Sequence, residues 1–506
     1  MDSEIDASNI STQSPGENQT SDQEDDDDFF VDQLLLTDLP EVVLINIMEY
    51  LLLKERYSLS QTCHLFHDLF SHPHLWRDAH ISLLPVGSEG KNRRRWKMMS
   101  VMNHTMAEIV RRFSHLFQHL TLEMSGYVQA LDQDCLDMIA EMNEECRLES
   151  LTLAMGSMTS KDDEMRRVAS VYSNVKDVPV VVQLVKNAVR MRHLSLLSWP
   201  LHKDLEDSCD IFKAIIENQK LQYLESFNFF FLGKQDKVWT ERIPHLPSPE
   251  TTLKVISHLK SLKHLSIRST MLSNELLLNL AKKDRSRLES LHILVMYARD
   301  SFYMEGFKIP ELDSSSWKAL KMASPHLKVE CFVVTRIPEN QLSMMLNREM
   351  PLHALNILKY GRCDNSMIHS LADKFKQTLC KFVSLCDSSD CDLSLLDLVE
   401  NCKQLRYLSY HGEITTKTVV KISEIFKERK VNVICFEFLE KSIKTNVSED
   451  DEVIDDDLAV ARDEQSQELY IVGLRKWHDN DEEKPMKIDS MSKVVSDNLG
   501  LPWRPI

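Results

Sequence analysis

Three cysteines lie close together in the second half of the chain, and cysteine thiolates are strong ligands for zinc. They are Cys380, Cys386 and Cys391, and three aspartates accompany them, Asp387, Asp390 and Asp392. A structural zinc site needs four ligands in tetrahedral geometry, often with Cys-x-x-Cys spacing. The sequence contains eleven cysteines but no Cys-x-x-Cys pair. We therefore interpret these thiols as reduced loop and core residues rather than as a metal site.

Three histidines form a second candidate cluster, at His67, His72 and His74. Imidazole is a common zinc ligand, but a set of cysteines or carboxylates at metal-ligand spacing is missing beside them. They also fall at the end of a segment whose apolar spacing predicts a helix. The sequence therefore predicts no metal site here.

Other reaction chemistries find no support in the residue types and their spacing. The chain has only eleven glycines, and neither a Walker A loop nor a dinucleotide fingerprint can be assembled from them. No serine elbow or Cys–His pairing stands out, and no cysteine has the electropositive neighbours that favour a reactive thiolate. We therefore predict no catalytic residue and no cofactor, and we do not expect an enzyme.

The stretch from Thr37 to Trp76 is too apolar for a free-standing helical hairpin. Pro40 is preset for a first helical turn, with Thr37 or Asp38 as expected caps. The side chains expected to share a helical face are Leu44, Ile47, Met48 and Leu51 in a first helix, and Leu59, Cys63, Phe66 and Leu69 in a second. Further apolar residues spill round the first helix, so we expect a partner to cover this stretch.

The same residues carry a resemblance to a known family. Leu39-Pro40-Glu41, the Cys63-x-x-Phe66 step and the closing Leu75-Trp76 resemble an F-box, in which many members have Trp where this chain has Phe66. The resemblance implies a three-helix module that binds the Skp-type adaptor of cullin-RING ubiquitin ligases, with Leu39 and Pro40 entering the adaptor's groove. The residues that it assigns to the adaptor contact are Leu39, Pro40, Leu44, Ile47, Leu51, Leu59, Phe66 and Trp76. Some of them must also hold the module's own core, and an ordinary helical hairpin inside a larger core is the alternative.

A repeat follows, of the form apolar-x-x-apolar-x-apolar. Its units are Phe117, Leu120, Leu122; Leu148, Leu151, Leu153; Met191, Leu194, Leu196; Leu224, Phe227, Phe229; Leu262, Leu265, Ile267; Leu288, Leu291, Ile293; a weaker one at Leu327 and Val329; Leu352, Leu355, Ile357; Leu379, Phe382 and the polar Ser384; Leu405, Leu408, Tyr410; and Val431, Ile434, Phe436. From Leu352 the steps are 27, 26 and 26 residues. This spacing is typical of leucine-rich repeats that contain a helix.

The alternating end of each unit predicts a short strand, and the stretches between units have helical periodicity. Most units lack the Asn or Cys that usually follows the strand in leucine-rich repeats, so a non-repetitive α/β domain stays an alternative. Three longer steps, beginning at Leu148, Leu224 and Leu288, indicate insertions that would emerge as loops and could shape a binding surface.

The two ends of the chain differ in net charge from the part that we expect to fold. The net charge is -18, and residues 1–30 hold ten acidic and no basic side chains. Residues 447–506 hold sixteen acidic and seven basic ones. We therefore expect disordered acidic tails around an electrically balanced middle, which lacks the basic field that nucleic-acid binding requires. The last residues, 499–506, are apolar, and either docking on the repeats or a short linear motif would explain them.

The sequence predicts neither a signal peptide nor a membrane-spanning segment. The start has no basic and apolar signal-peptide pattern, and the longest conspicuous apolar run, Val178–Val185, is too short to span a bilayer. Scattered cysteines fit a reducing compartment. We expect a soluble protein in the cytoplasm, the nucleus or both, with no membrane partner.

Together these features predict an α/β protein: an N-terminal three-helix F-box followed by a leucine-rich-repeat-like α/β solenoid with disordered acidic termini. The expected segments are 1–30 tail, 35–84 F-box, 93–117 linker helix, 117–444 repeat domain and 445–506 acidic, mostly disordered tail. The implied function is the substrate-recognition subunit of an SCF ubiquitin ligase, which holds the adaptor at one end and an unknown protein substrate at the other. The alternative is a leucine-rich-repeat interaction scaffold that acts outside a ubiquitin ligase.

Overall fold

The computed structural model divides the chain into two compact units, Met1–Leu75 and Trp76–Ile506. The structure describes residues 36–51, 53–83, 104, 106–125, 133–145, 147–156, 178–197, 210–229, 247–295, 310–335, 337, 342, 344–388, 391–444 and 483–506. The acidic N-terminal tail expected at 1–30 and most of the acidic stretch after residue 444 therefore lie outside the described residues.

Short helices build the first unit. They are a 3-10 turn at Leu36–Asp38, α1 at Glu41–Glu49, α2 at Leu53–Ser60 and α3 at His64–Phe70, with α4 at Pro73–Trp76 ending at the unit boundary. Pro40 itself is the N-cap of α1, where the sequence predicted Thr37 or Asp38 as caps. Its carbonyl accepts hydrogen bonds from the backbone N–H groups of Val43 and Leu44, at 2.9 and 3.1 Å.

The second helix predicted from the apolar spacing is in fact two helices, so that prediction was wrong. The chain turns at residues 61–62, and Cys63 is the exposed, extended N-cap of α3 rather than part of a buried helical face. The Thr62 hydroxyl donates to the Leu59 carbonyl at 2.7 Å, and the Ser60 hydroxyl to the Tyr57 carbonyl at 2.7 Å. Hydroxyl side chains that bind nearby backbone in this way compete with helix continuation.

A twelve-stranded parallel sheet forms the core of the second unit, with its strands side by side in chain order. The strands are β1 Asp78–Leu83, β2 His119–Ser125, β3 Ser150–Gly156, β4 His193–Leu196, β5 Ser226–Asn228, β6 His264–Arg268, β7 Ser290–Val295, β8 Lys328–Thr335, β9 Leu352–Tyr360, β10 Lys381–Ser384, β11 Tyr407–Tyr410 and β13 Cys435–Phe438. Two further short strands, β12 at Ile414–Thr415 and β14 at Ile443–Lys444, pair with each other. The sheet begins earlier than the repeat pattern, because β1 follows directly on α4.

Helices connect the parallel strands, as such crossovers require. A helical segment at 106–113 and a 3-10 turn at Ser114–Leu116 stand between β1 and β2, in the region predicted as a linker helix. The later helices are α5 Gln133–Glu145, α6 Val178–Asn187, α7 Ile211–Glu217, α8 Pro249–His258, α9 Asn274–Leu280, α10 Ser314–Ala323, α11 Asn365–Lys374, α12 Asp392–Asn401, α13 Thr416–Glu428 and α14 Glu483–Leu499. The predicted α/β solenoid architecture is confirmed.

The inward side chains of neighbouring strands stand opposite one another. Leu120 pairs in register with Leu151, which pairs with Leu194, and the row continues through Phe227 to Leu265. All five side chains are at most 1% exposed. Full burial of a side chain of this size stabilises the fold by roughly 1.5–3 kcal/mol. This layer explains the apolar spacing that defined the repeat.

The unit that begins at Leu379 has the predicted register, whereas the last unit does not. Ser384 takes the inward position of β10 and is fully buried, with its hydroxyl 3.2 Å from the sulfur of Cys386. In the last unit the inward pair is Phe436 and Phe438, which stand opposite Leu408 and Tyr410. Ile434, predicted as inward, is 72% exposed.

Side chains near the end of one helix cap the end of an earlier helix. The Asn218 amide donates to the carbonyls of Val185 and Ala188. The Arg285 guanidinium donates to those of Ile256 and Leu259, and the Arg429 guanidinium to those of Val399 and Glu400. The last carbonyls of a helix lack intrahelical partners. These donors satisfy them and thereby fix the spacing between successive repeats.

Candidate functional site

The eight residues predicted for adaptor contact divide into interior and surface positions. Leu44, Phe66 and Trp76 are buried, at 1, 5 and 2% exposure. Four others are half-buried, and Pro40 is exposed. The half-buried residues are Leu39, Ile47, Leu51 and Leu59. The adaptor contact predicted for the three interior residues stays a prediction, and the five more accessible residues are the ones that a partner can reach.

Further apolar side chains of the first unit are exposed besides the eight residues predicted for adaptor contact. The exposed fractions are 68% for Val42, 39% for Val43, 91% for Tyr50, 41% for Tyr57 and 37% for Leu65. Val42 and Val43 lie off the main apolar face of α1, where the excess of apolar residues in the sequence already indicated an uncovered surface. Tyr50, Tyr57 and Leu65 gave no comparable signal. We name Leu39, Pro40, Val42, Val43, Ile47, Leu51 and Leu59 the apolar surface.

The half-buried side chain of Arg56 links helices of the first unit. Its guanidinium donates to the carbonyls of Glu49 at 2.8 Å, Leu51 at 2.9 Å and Leu75 at 2.7 Å. The first two carbonyls lie at the end of α1 and the third in α4, so one cation joins the two helices. The ring nitrogen Nε2 of His74 adds a second link, 2.9 Å from the carboxylate of Glu49. The sequence showed Arg56 only as part of a charged break.

Trp76 opens the second unit and packs against the helical segment 106–113. Its ring lies parallel to that of Phe113, with centroids 4.1 Å apart, and 6.5 Å from that of Phe117. Phe113 and Phe117 are themselves buried, at 4 and 1% exposure. The closing Trp76 of the F-box-like stretch is therefore a core residue of the repeat unit.

The alternating positions of the strands form a polar face on the sheet. One row across β2 to β7 alternates imidazole with hydroxyl: His119, Ser150, His193, Ser226, His264 and Ser290. The next row is Thr121, Thr152, Ser195, Asn228, Ser266 and His292. Burial lowers the pKa of His193 and of His292, against the opposing pull of nearby carboxylates.

Carboxylates link the later strands of the polar face. Glu330 on β8 accepts a hydrogen bond from the Asn356 amide at 2.8 Å and lies 3.3 Å from the Lys381 ammonium. Glu437 on β13 accepts from the Ser409 hydroxyl at 2.9 Å and lies 3.0 Å from the His411 ring nitrogen. Buried or half-buried carboxylates need such partners. The face is thus a preorganised polar surface rather than an apolar groove.

The cysteines that lie together in the structure are not the three that lie closest in the sequence. Cys363 joins Cys386 and Cys391 in the interior, whereas Cys380 is half-buried and Asp390 lies outside the described residues. Burial raises the pKa of Cys363 well above its ordinary value, and the neighbouring thiols add to the effect. Such thiols are poor nucleophiles. Within the described ranges, no group of three or more His, Cys, Asp or Glu side chains has metal-binding geometry.

Fold and surface together define a modular α/β protein: a helical unit with an apolar surface, and a parallel α/β repeat unit with a polar face. Residues 36–82 match the F-box-like family model. F-box/LRR-repeat protein 21 of Bos taurus is 22% identical over 371 residues, covering 73% of this chain and 75% of that protein. The Mus musculus protein of the same name is 21% identical over 374 residues, with the same coverage. The chain therefore combines an F-box-like domain with a leucine-rich-repeat-like C-terminal region.

A solved structure, that of the TLR13–ssRNA13 complex, is similar with a TM-score of 0.29 and 14% identity. The match covers 64% of this chain and 39% of that chain, and it carries no argument about function. The F-box-like domain and the F-box/LRR relatives support an SCF substrate receptor in general, and F-box/LRR proteins are typically non-catalytic adaptors. Among the helices that the structure describes, none is both long and apolar enough to cross a membrane.

Proposed function

We propose that this chain is the substrate-recognition subunit of an SCF ubiquitin ligase, with the first unit on a Skp-type adaptor and the repeat unit on a protein substrate. The observation that carries the proposal is the F-box-like domain at 36–82 with its partly exposed apolar surface, joined in one chain to a long repeat sheet. An apolar surface of this kind is typical of a protein–protein interface.

The adaptor contact would use the apolar surface. Pro40 and Leu39 precede α1 and would enter the adaptor's groove, while Val43 and Ile47 extend the contact along the helix. Leu44 and Phe66 are buried and would support this surface from within. The Arg56 contacts hold the end of α1 against α4 and keep the surface preorganised, which lowers the ordering cost of binding.

The substrate contact would use the polar face of the repeat unit. Rows of hydroxyl, imidazole and carboxylate groups offer hydrogen bonds at fixed spacing, which favours specificity for a polar partner. The chain would perform no reaction of its own. Its contribution would be proximity, because tethering turns a bimolecular encounter with the conjugating enzyme into one at high effective concentration.

The adaptor contact can be tested by titrating a purified Skp-type adaptor into the full chain and into the double variant Leu39→Ala, Pro40→Ala. Loss of a central anchor costs about 2 kcal/mol, so we expect roughly thirtyfold weaker binding. Leu393→Ala is the matched control, since Leu393 lies on α12 and is 82% exposed. It should bind as the wild type does. Unchanged affinity of the double variant would refute this mode of docking.

Co-purification tests the wider assignment. The full chain should recover the adaptor and a cullin from cells, and the double variant Leu39→Ala, Pro40→Ala, which leaves the buried Trp76 in place, should recover much less of both. Failure of the full chain to recover them would favour the interaction scaffold outside a ligase.

A further inference from the structure

Residues 483–506, which we name the closing segment, pack on the last repeat. Within it α14 lies against α13, and Met491 and Val495 are buried, at 4 and 0% exposure. The Asn498 side chain fixes the register: its amide donates to the Ser423 hydroxyl at 2.9 Å, and its oxygen accepts from the Lys427 ammonium at 3.1 Å. The sequence left docking or a linear motif open for 499–506, and the structure shows docking.

After α14 the chain reverses at Gly500, whose φ of 69° lies in the left-handed region that favours glycine. Trp503 then packs against β13 at the edge of the sheet. Its indole N–H donates to the Phe436 carbonyl at 2.5 Å, and its ring centroid lies 5.7 Å from that of Phe436. Its backbone N–H donates to the Ser496 hydroxyl at 2.9 Å. Trp503 is 9% exposed, so it is the anchor of this end.

Backbone pairing continues to Ile506. Its N–H donates to the Phe438 carbonyl at 3.0 Å, and its carbonyl accepts from the Glu440 N–H at 2.7 Å. Two bonds that bracket one residue in this way are the pattern of a parallel ladder. Ile506 therefore forms a single parallel backbone pair at Leu439, directly after β13, and α14 with this pair takes the place of one more repeat.

The site on which the closing segment lies has its own recognition features. The backbone edge of β13 offers hydrogen bonds to an extended chain, because an edge strand presents unpaired N–H and C=O groups. Beside it the rings of Phe426 and Phe438 both pack edge-on against Phe436, with centroids 5.9 and 4.8 Å apart. This aromatic cluster accepts the Trp503 ring.

The covalent connection to this site is long. Residues 445–482 separate β14 from α14, and they contain thirteen acidic and three basic side chains. The repeats that begin at Leu352, Leu379 and Leu405 follow one another at steps of 27 and 26 residues in total. A connection of this length makes the docking of the closing segment resemble the binding of a tethered ligand.

We propose that the edge of β13 with the rings of Phe426, Phe436 and Phe438 is a peptide-binding site. It takes an extended segment of the type Trp-x-x-Ile by parallel β-pairing, with the tryptophan in the aromatic cluster and the aliphatic residue on the strand edge. Residues 500–506 of this chain are its resident occupant. Backbone pairing supplies affinity and the tryptophan supplies selectivity, as in other cases of strand addition.

The experiment uses a fluorescein-labelled peptide with the sequence of residues 499–506 and measures its anisotropy with the full chain. The variant Trp503→Ala weakens the resident occupant, so it should bind the peptide at least tenfold more tightly than the wild type. A peptide carrying alanine at the tryptophan position should not bind. Trp477→Ala, a change in the connecting stretch, is the matched control and should behave as the wild type.

Equal peptide affinity for the wild type and for a folded Trp503→Ala variant would overturn the proposal, and so would the lack of any binding to that variant. Circular dichroism and thermal unfolding establish that the variant is folded. If it is not, Trp503→Phe takes its place, because phenylalanine keeps an aromatic ring but loses the N–H donor to Phe436. That variant must also bind the peptide more tightly than the wild type does, and failure would overturn the proposal equally.

Discussion

The indole ring of Trp76 lies flat on the phenyl ring of Phe113, with centroids 4.1 Å apart and planes inclined by 6°. Trp76 ends the F-box-like helices, whereas Phe113 belongs to the helical segment between the first two strands of the sheet. The residue that closes the F-box-like pattern is thus built into the core of the repeat unit. A variant at this position should act on the repeat unit first.

We predict that Trp76→Ala lowers the stability of the repeat unit by about 3–5 kcal/mol, because the loss of a buried aromatic ring leaves a cavity. Denaturant unfolding followed by circular dichroism measures this loss. Trp76→Phe should cost less, since phenylalanine can still stack on Phe113. If stability stayed at the wild-type level while adaptor binding fell, Trp76 would be a direct contact, as the sequence alone predicted.

The three carbonyl contacts of Arg56 lead to a second prediction. Lysine carries the same charge but cannot reach the carbonyls of Glu49, Leu51 and Leu75 together with one planar group. We expect Arg56→Lys to destabilise the first unit by roughly 2 kcal/mol, since hydrogen bonds to charged groups contribute about 1.5–3 kcal/mol each.

Amide hydrogen exchange resolves this effect by region. Protection should fall in α1 and α4 and stay unchanged in the repeat unit. Arg362→Lys is a suitable control, because Arg362 is exposed and its side-chain ion pair is with Asp364. Uniform loss of protection across the chain would contradict the local role of Arg56.

Arg285 provides a test of the contacts between repeats. Its guanidinium donates to the carbonyls of Ile256 and Leu259 at the end of α8 and to the Asn279 side chain of α9. Arg285→Ala leaves those acceptors without this donor, and we expect a loss of about 2–3 kcal/mol in unfolding free energy. The exposed Arg287 gives the matched control, and Arg287→Ala should change stability by less than about 0.5 kcal/mol. Equal effects at both positions would exclude the capping role.

The sequence predicted the strand layer well because the side-chain period of a strand is two and the same spacing returns in every repeat. The inward positions of Leu265 and Leu291 could be predicted from this spacing alone, without knowing which strands lie beside them. The last strand was placed wrongly because Ile434 and Phe436 have the same spacing as Phe436 and Phe438. Only the backbone pairing of β13 with β11 selects one register.

For the candidate docking site, the sequence located α1 but merged α2 and α3 into one helix, and it could not separate core from surface. Leu44 and Pro40 both fit the family pattern, yet one is buried and the other exposed. Burial depends on which helices pack together, and that is a tertiary property. The Arg56 contacts could not be predicted from the sequence for the same reason, because their acceptors lie in separate parts of the first unit.

The histidines of the polar face make stability depend on pH. Burial lowers the pKa of His292 below its ordinary value of 6.5, Glu330 raises it in part, and His264 lowers it further. The pKa values of His193 and His353 are also lowered, mainly by burial. The unfolded chain therefore binds protons more readily than the folded chain does, so protonation favours unfolding. Stability should be fully present above about pH 6.5 and should decrease as the pH falls through that value.

We expect the urea midpoint of the wild type to fall between pH 7.5 and pH 5.5. His292→Gln should show a smaller fall, because glutamine does not titrate and its amide can still bond to Ser266, whose hydroxyl lies 3.1 Å from the His292 ring nitrogen. The exposed His115 offers the control, and His115→Gln should keep the full wild-type fall. The comparison between the variants and the wild type over the same pH range isolates the contribution of His292. An identical fall in the wild type and in His292→Gln would show that His292 does not contribute.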